Sequence, residues 1–171
     1  MAASDIAAAI SGAREYLATH PADARYRDPA ASATIADGLR VRVTGSDGSS
    51  LVTDMVTGIG GGGSAPSPGW VYRAAYASCV ATLIAMRAAN DGFSVDGLEV
   101  VVDSESDDRG ILGLSPDVPA GPLNVRVAVT ASAPGADAVK IRAAIEDAVR
   151  LCPVHDATVR AVPVEVAVEI G

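Results

Sequence analysis

Three features of this 171-residue chain predict an α+β fold. Short β-patterned segments occur in runs, single helical segments separate those runs, and no strict βαβ alternation is present. The expected order is helix, three strands, helix, two strands, helix, strand.

The first helix rests on Ile6, Ile10, Ala13 and Leu17, which recur at helical spacing after Ser4 and stop at His20-Pro21. A polar link, 22–28, follows. Residues 31–36, 39–44 and 50–57 read as strands, with turn signals at Asp37-Gly38 and Asp47-Gly48. In the middle strand Leu39, Val41 and Val43 alternate with Arg40 and Arg42, so one face is apolar and the other cationic. After a Gly-rich stretch, Ser67-Pro68 supplies an N-cap and first-turn proline for a long helix ending near Gly92. That helix is apolar on nearly every side, which predicts burial in a protein centre or an interface. Strands are expected at 97–104 and 123–132, with an irregular connection between them. A second amphipathic helix opens at Ala136-Asp137 and carries Val139, Ile141, Ala144, Ile145, Ala148 and Val149 on its apolar side. Pro153 ends it near Cys152. The alternation of Val162, Val164, Val166, Val168 and Ile170 predicts a closing strand.

Composition narrows the function classes. Net charge is −8, and one Lys stands beside twelve Arg with no dense basic run, so nucleic acid and anionic membrane surfaces are not expected partners. No apolar run reaches the roughly 18–20 residues needed to span a bilayer. The N-terminus lacks the positive region of a signal peptide, so a cytoplasmic location is expected. In that compartment two cysteines are expected to be free, metal-bound or redox-active more than a structural staple. Aromatic residues are only 4% of the chain, so the core must be built from Ala, Val, Leu and Ile.

Cys79 lies mid-helix in Tyr76-Ala77-Ser78-Cys79-Val80, and Cys152 lies in Leu151-Cys152-Pro153-Val154-His155. Taken singly, each is as well read as a small buried residue. Together, the Ser-Pro start with Cys79 eleven residues beyond the Pro, and the later Cys152-Pro153-Val154 step, resemble the osmotically induced protein C and organic hydroperoxide resistance (OsmC/Ohr) family. The likeness covers about residues 31–170. It leaves 1–30 as an N-terminal helical extension and 31–171 as the OsmC-like domain. It implies an antiparallel sheet, a long buried central helix and an intertwined homodimer.

The resemblance further implies a thiol-dependent peroxidase that reduces organic hydroperoxides. Cys79 would be the peroxidatic thiol and Cys152 the resolving one, with a dithiol reductant, lipoyl-type in one branch, and neither metal nor organic cofactor. Relatives pair an Arg from the early strands with a Glu directly after the helix-opening Pro. Arg40 or Arg42 could supply the first, although an ordinary solvated strand face accounts for both equally well. The Glu position is occupied by Gly69, a departure that bears on rate and substrate. Cys79 stands about twelve residues, or roughly 18 Å, into its helix, so the helix N-terminus cannot stabilise its thiolate. Cys152, at a helix C-terminus, is expected in a field unfavourable to a thiolate, which suits a resolving role.

Tyr72, Tyr76 and Cys79 share a helical face and either line a pocket or form a packed stripe. Gly58 to Gly63 matches a dinucleotide fingerprint only formally, since no helix opens directly after it. Cys152, His155 and Cys79 are too few for a zinc site, and His155 is expected as a partly exposed residue beyond the helix. Asp103, Glu105 and Asp107 read as a solvated charge run. Two non-catalytic alternatives remain on the same scaffold: a small-molecule-binding protein, motivated by Gly69 and the Tyr/Trp-rich approach to Cys79, and a redox sensor.

Overall fold

The structure is a computed structural model that describes residues 2–171. It divides into two compact units, one built from Ala8–Ala75 and the other from Tyr76–Gly171 with the chain's first residues up to Ala7.

Helix α1 (Ala3–Thr19) opens the chain, and none of its residues is buried. A short 3-10 turn, Pro21–Ala24, occupies part of the expected polar link. Strands β1 (Ala31–Asp37), β2 (Arg40–Gly45) and β3 (Ser50–Thr53) form an antiparallel sheet in sequence order. Ala33 faces Val43 across the first pair and Val43 faces Leu51 across the second. The third strand is shorter than its β-pattern predicts. The chain leaves the sheet at Asp54, which is buried and folds the following glycines around its carboxylate. Met55 N–H, Gly62 N–H, and Ser64 through both its N–H and its hydroxyl all donate to Asp54 at 2.8–3.2 Å. The loop comes so near its own backbone that a Cβ at Gly61 would lie 2.0 Å from the Met55 carbonyl oxygen.

Helix α2 (Pro68–Asn90) starts where Ser67-Pro68 predicts, with the Ser67 hydroxyl accepting from Trp70 N–H at 3.2 Å. It ends in a glycine stop. Gly92 takes φ +81°, and the N–H groups of Gly92 and Phe93 return to the carbonyls of Ala89 and Ala88. Tyr76, Val80, Ile84, Ala88 and Ala89 are buried, whereas Trp70 and Met86 are exposed. Burial of α2 within one chain is therefore a stripe, not the full circumference that its composition predicts.

In the second unit, β4 (Asp96–Glu105) and β5 (Asn124–Ser132) pair antiparallel, with Val100 opposite Val129 and Asp103 opposite Arg126. Asp103 forms an ion pair with Arg126 at 2.6 Å, as a solvated strand face allows. The connection between them holds one helical turn, α3 (Asp108–Ile111), capped by Asp107. Asp137 caps α4 (Ala138–Arg150) by accepting from Lys140 N–H at 2.8 Å. The Lys140 ammonium stands 5.3 Å over the Phe93 ring. Only Ala144 and Ala148 of α4 are buried, and Val139, expected on the apolar side, is exposed. Arg87 of α2 reaches Asp147 of α4 at 2.8 Å.

The chain does not close on a strand. A further helix, α5 (Pro153–Val159), follows Cys152, and residues 161–171 adopt no regular structure. Val164 and Ile170 are 83% and 92% exposed. The alternation is that of a strand, but a strand requires a neighbour to take its backbone hydrogen bonds, and among the described residues no strand pairs with it.

Candidate active site

Two helices bring the cysteines together. Cys79 sits on α2, one turn after buried Tyr76, and is half-buried. Cys152 is fully buried between α4 and α5. Both are free thiols, and the Cys152 S–H donates to the Cys79 sulfur across 3.0 Å. The bonded distance in a disulfide is about 2.05 Å, so closure needs a movement of only about 1 Å.

The surroundings of Cys152 differ from the expected helix C-terminus. The residue follows α4 but also stands at the N-cap position of α5, because Pro153 both ends one helix and opens the next. Its side chain makes no capping hydrogen bond, yet the N–H groups of His155 and Val154 lie near enough to favour its thiolate. Burial works against them and dominates, and the hydrogen bond to Cys79 adds to it, so the Cys152 thiol is pushed up. The sign matches the expectation, while its origin is burial and not the end of α4.

His155 is partly exposed and lies beyond α4, as expected, but it has a structural setting that the sequence did not reveal. It lies within the first turn of α5, and its Nδ1 hydrogen-bonds the Tyr76 hydroxyl of α2. The Tyr76 and His155 rings are 6.0 Å apart, tilted by 49°. Tyr76 thus belongs to the packed core and at the same time reaches the residue that follows Cys152-Pro153-Val154. Nothing local to the sequence pairs Tyr76 with His155. The signal available was that each lies three residues from a cysteine on its own helix.

An open groove of about 840 Å³ runs beside this site. Val127 and Val129 of β5, Ile141 and Ile145 of α4, and His155 and Val159 of α5 contribute to its walls.

Arg40 and Arg42 belong to β2 in the other unit, where both side chains are exposed while Val41 and Val43 are partly covered. Gly69 opens α2 in that same unit. A Cβ there would stand 3.7 Å from an Arg73 guanidinium nitrogen, so the position of the missing acid has a cation one helical turn away. Arg73, Trp70, Ser67 and Asp54 help to line a smaller hollow of about 420 Å³.

Comparison with known proteins agrees with this fold. The family model described as OsmC-like protein matches residues 61–167. An organic hydroperoxide resistance protein OsmC from Legionella pneumophila superposes with a TM-score of 0.58 at 22% identity, over 78% of this chain and 90% of that one. A putative osmotic stress induced and detoxification response protein from Psychrobacter arcticus gives 0.62 at 21% identity, with the same coverage. An OsmC-like protein of unknown function from Vibrio cholerae gives 0.64 at 11% identity, over 77% and 94%. No curated protein sequence matches. The α+β architecture, the paired thiols and the match across more than half of the chain together place this protein in the OsmC-like family, as a divergent member.

Proposed function

We propose that the protein is a two-cysteine peroxidase that reduces organic hydroperoxides. The observation carrying this reading is the pair of free thiols 3.0 Å apart, one half-exposed and one buried. The Cys79 thiolate attacks the terminal oxygen of the hydroperoxide. The O–O bond breaks, the alcohol leaves with a proton, and Cys79 becomes a sulfenic acid. Cys152 then attacks the Cys79 sulfur, the S–S bond forms, and the hydroxyl departs as water. A dithiol reductant, lipoyl-type by family likeness, restores both thiols in two exchanges and leaves as a disulfide. Burial favours the protonated Cys152 thiol, which supports a resolving role over first attack on peroxide. By family likeness, Arg40 or Arg42 is the candidate cation for the Cys79 thiolate. The chemistry belongs in a reducing compartment, the cytoplasm, where free thiols persist.

The reading includes a homodimer. The exposed valine-rich end, the exposed flank of α2 and the valine and isoleucine side of the groove leave more apolar surface uncovered than a monomer needs.

The test is oxidation of the reduced protein with one equivalent of cumene hydroperoxide, followed by thiol counting and intact mass. Loss of both thiols with a decrease of about two daltons is expected. Cys79→Ser should abolish turnover, and Cys152→Ser should permit one turnover at most. Two thiols that survive excess peroxide, or repeated turnover by Cys79→Ser, would overturn the mechanism. Gly69 favours a second reading, a non-catalytic binding or redox-sensing protein on the same scaffold, because the usual carboxylate is missing. Reversible disulfide formation without sustained turnover would select the sensor.

A further inference from the structure

Cys152 and His155 bracket the first turn of α5, and Tyr76 and Cys79 bracket one turn of α2. The two turns are tied twice: sulfur to sulfur, and Tyr76 hydroxyl to His155 Nδ1. A single residue, His155, therefore stands three positions after Cys152 and grips α2 with its ring. Tyr76 is 3% exposed, so loss of this hydrogen bond removes one partner from a buried hydroxyl, whereas the His155 ring keeps partial access to water.

We propose that His155, held by Tyr76, is a positioning residue for the thiol pair: it fixes the start of α5 on α2, so that the two sulfurs stay within closing distance in the reduced protein. The inference rests on reading Cys79 and Cys152 as a redox pair, but not on peroxide as the oxidant. Positioning raises the effective concentration of one thiol at the other. Without it, disulfide closure must first order the turn that carries Cys152, and the disulfide becomes easier to reduce. The electron balance is that of thiol–disulfide exchange with glutathione. Two glutathione thiols give up two electrons and two protons, the Cys79–Cys152 bond breaks, and oxidised glutathione leaves.

The chemistry of the contact also specifies which replacements keep it. It is made by Nδ1, the ring nitrogen nearer the backbone. An Asn amide places a polar atom near that position, whereas a Gln amide mimics the far nitrogen and overshoots. His155→Asn should preserve the tie, while His155→Gln and Tyr76→Phe should break it.

The experiment is equilibration of the whole protein and its variants in glutathione redox buffers, with the reduced fraction read by thiol trapping and mass, alongside thermal unfolding. Tyr76→Phe and His155→Gln are expected to weaken the disulfide about tenfold, a rise of about 30 mV in reduction potential, with His155→Asn close to the parent. Asp147→Asn removes the 2.8 Å ion pair that joins α4 to Arg87 of α2, together with the Asp147–Arg150 pair within α4, and serves as the control. It should lower the melting temperature without moving the potential, as a purely structural contact would. Potentials unchanged in Tyr76→Phe and His155→Gln would overturn the inference, as would His155→Asn behaving like His155→Gln or a parent protein that forms no disulfide in the buffers. A protein inert to cumene hydroperoxide that still shows the expected potential shifts would keep this inference and remove only the peroxidase reading.

Discussion

At the scale of single residues, the two cysteines differ in access. Cys79 is half-buried, whereas Cys152 has no exposed surface and a thiol pushed up by burial. Limited iodoacetamide near neutral pH should therefore modify Cys79 first, with Cys152 reacting only at alkaline pH or after unfolding. Peptide mass mapping checks this, and prior labelling of Cys152 would contradict the burial. Cys79 and Cys152 were legible because each sits in a recognisable local context. The surroundings of Cys152 were not, because they depend on a second helix beginning immediately at Pro153. The His155–Tyr76 bond was illegible for a related reason: its partners are 79 residues apart.

Among the elements, the glycine-rich loop after β3 is ordered by one carboxylate. Four hydrogen bonds from Ser64, Met55 and Gly62 hold the Asp54 carboxyl down at about 2, against an ordinary value near 3.8. A depressed folded-state value contributes stability above the unfolded value and loses it as pH falls through the folded one. The loop should hold above about pH 4 and loosen as pH falls towards 2. Asp54→Asn should reproduce that loosening at neutral pH. Hydrogen exchange at Gly62 and Ser64 reports it, and unchanged protection in the variant would show that the carboxylate is dispensable. Sequence pattern located this loop by its glycines but carried the strand on to residue 57, since alternation alone does not reveal that Asp54 turns inward. The start of α2 was legible from Ser67-Pro68, where capping is decided by adjacent residues.

For the whole molecule, the uncovered apolar surface is the main consideration. The α+β class and eight of the ten α-helices and β-strands among the described residues followed from periodicity and capping, while α3 and α5 did not. The closing strand did not form, because strand pattern states only that a segment can pair, not that a partner is available in the same chain. Together with the groove beside α4 and the exposed Trp70 and Met86, this predicts self-association. Sedimentation at micromolar concentration should give a dimer, and a variant truncated after Arg160 should shift towards monomer. A monomeric full-length chain would remove the dimer from the proposed function.

The valine-rich end also bears on how long each copy survives in a cell. In an isolated chain, Val164, Val166, Val168 and Ile170 form an open apolar ribbon, the kind of segment that quality-control proteases and chaperones engage. If pairing between copies covers it, newly made chains at low abundance are degraded faster than those that have met a partner. The protein's half-life would then lengthen with its own expression level, with no dedicated regulator required.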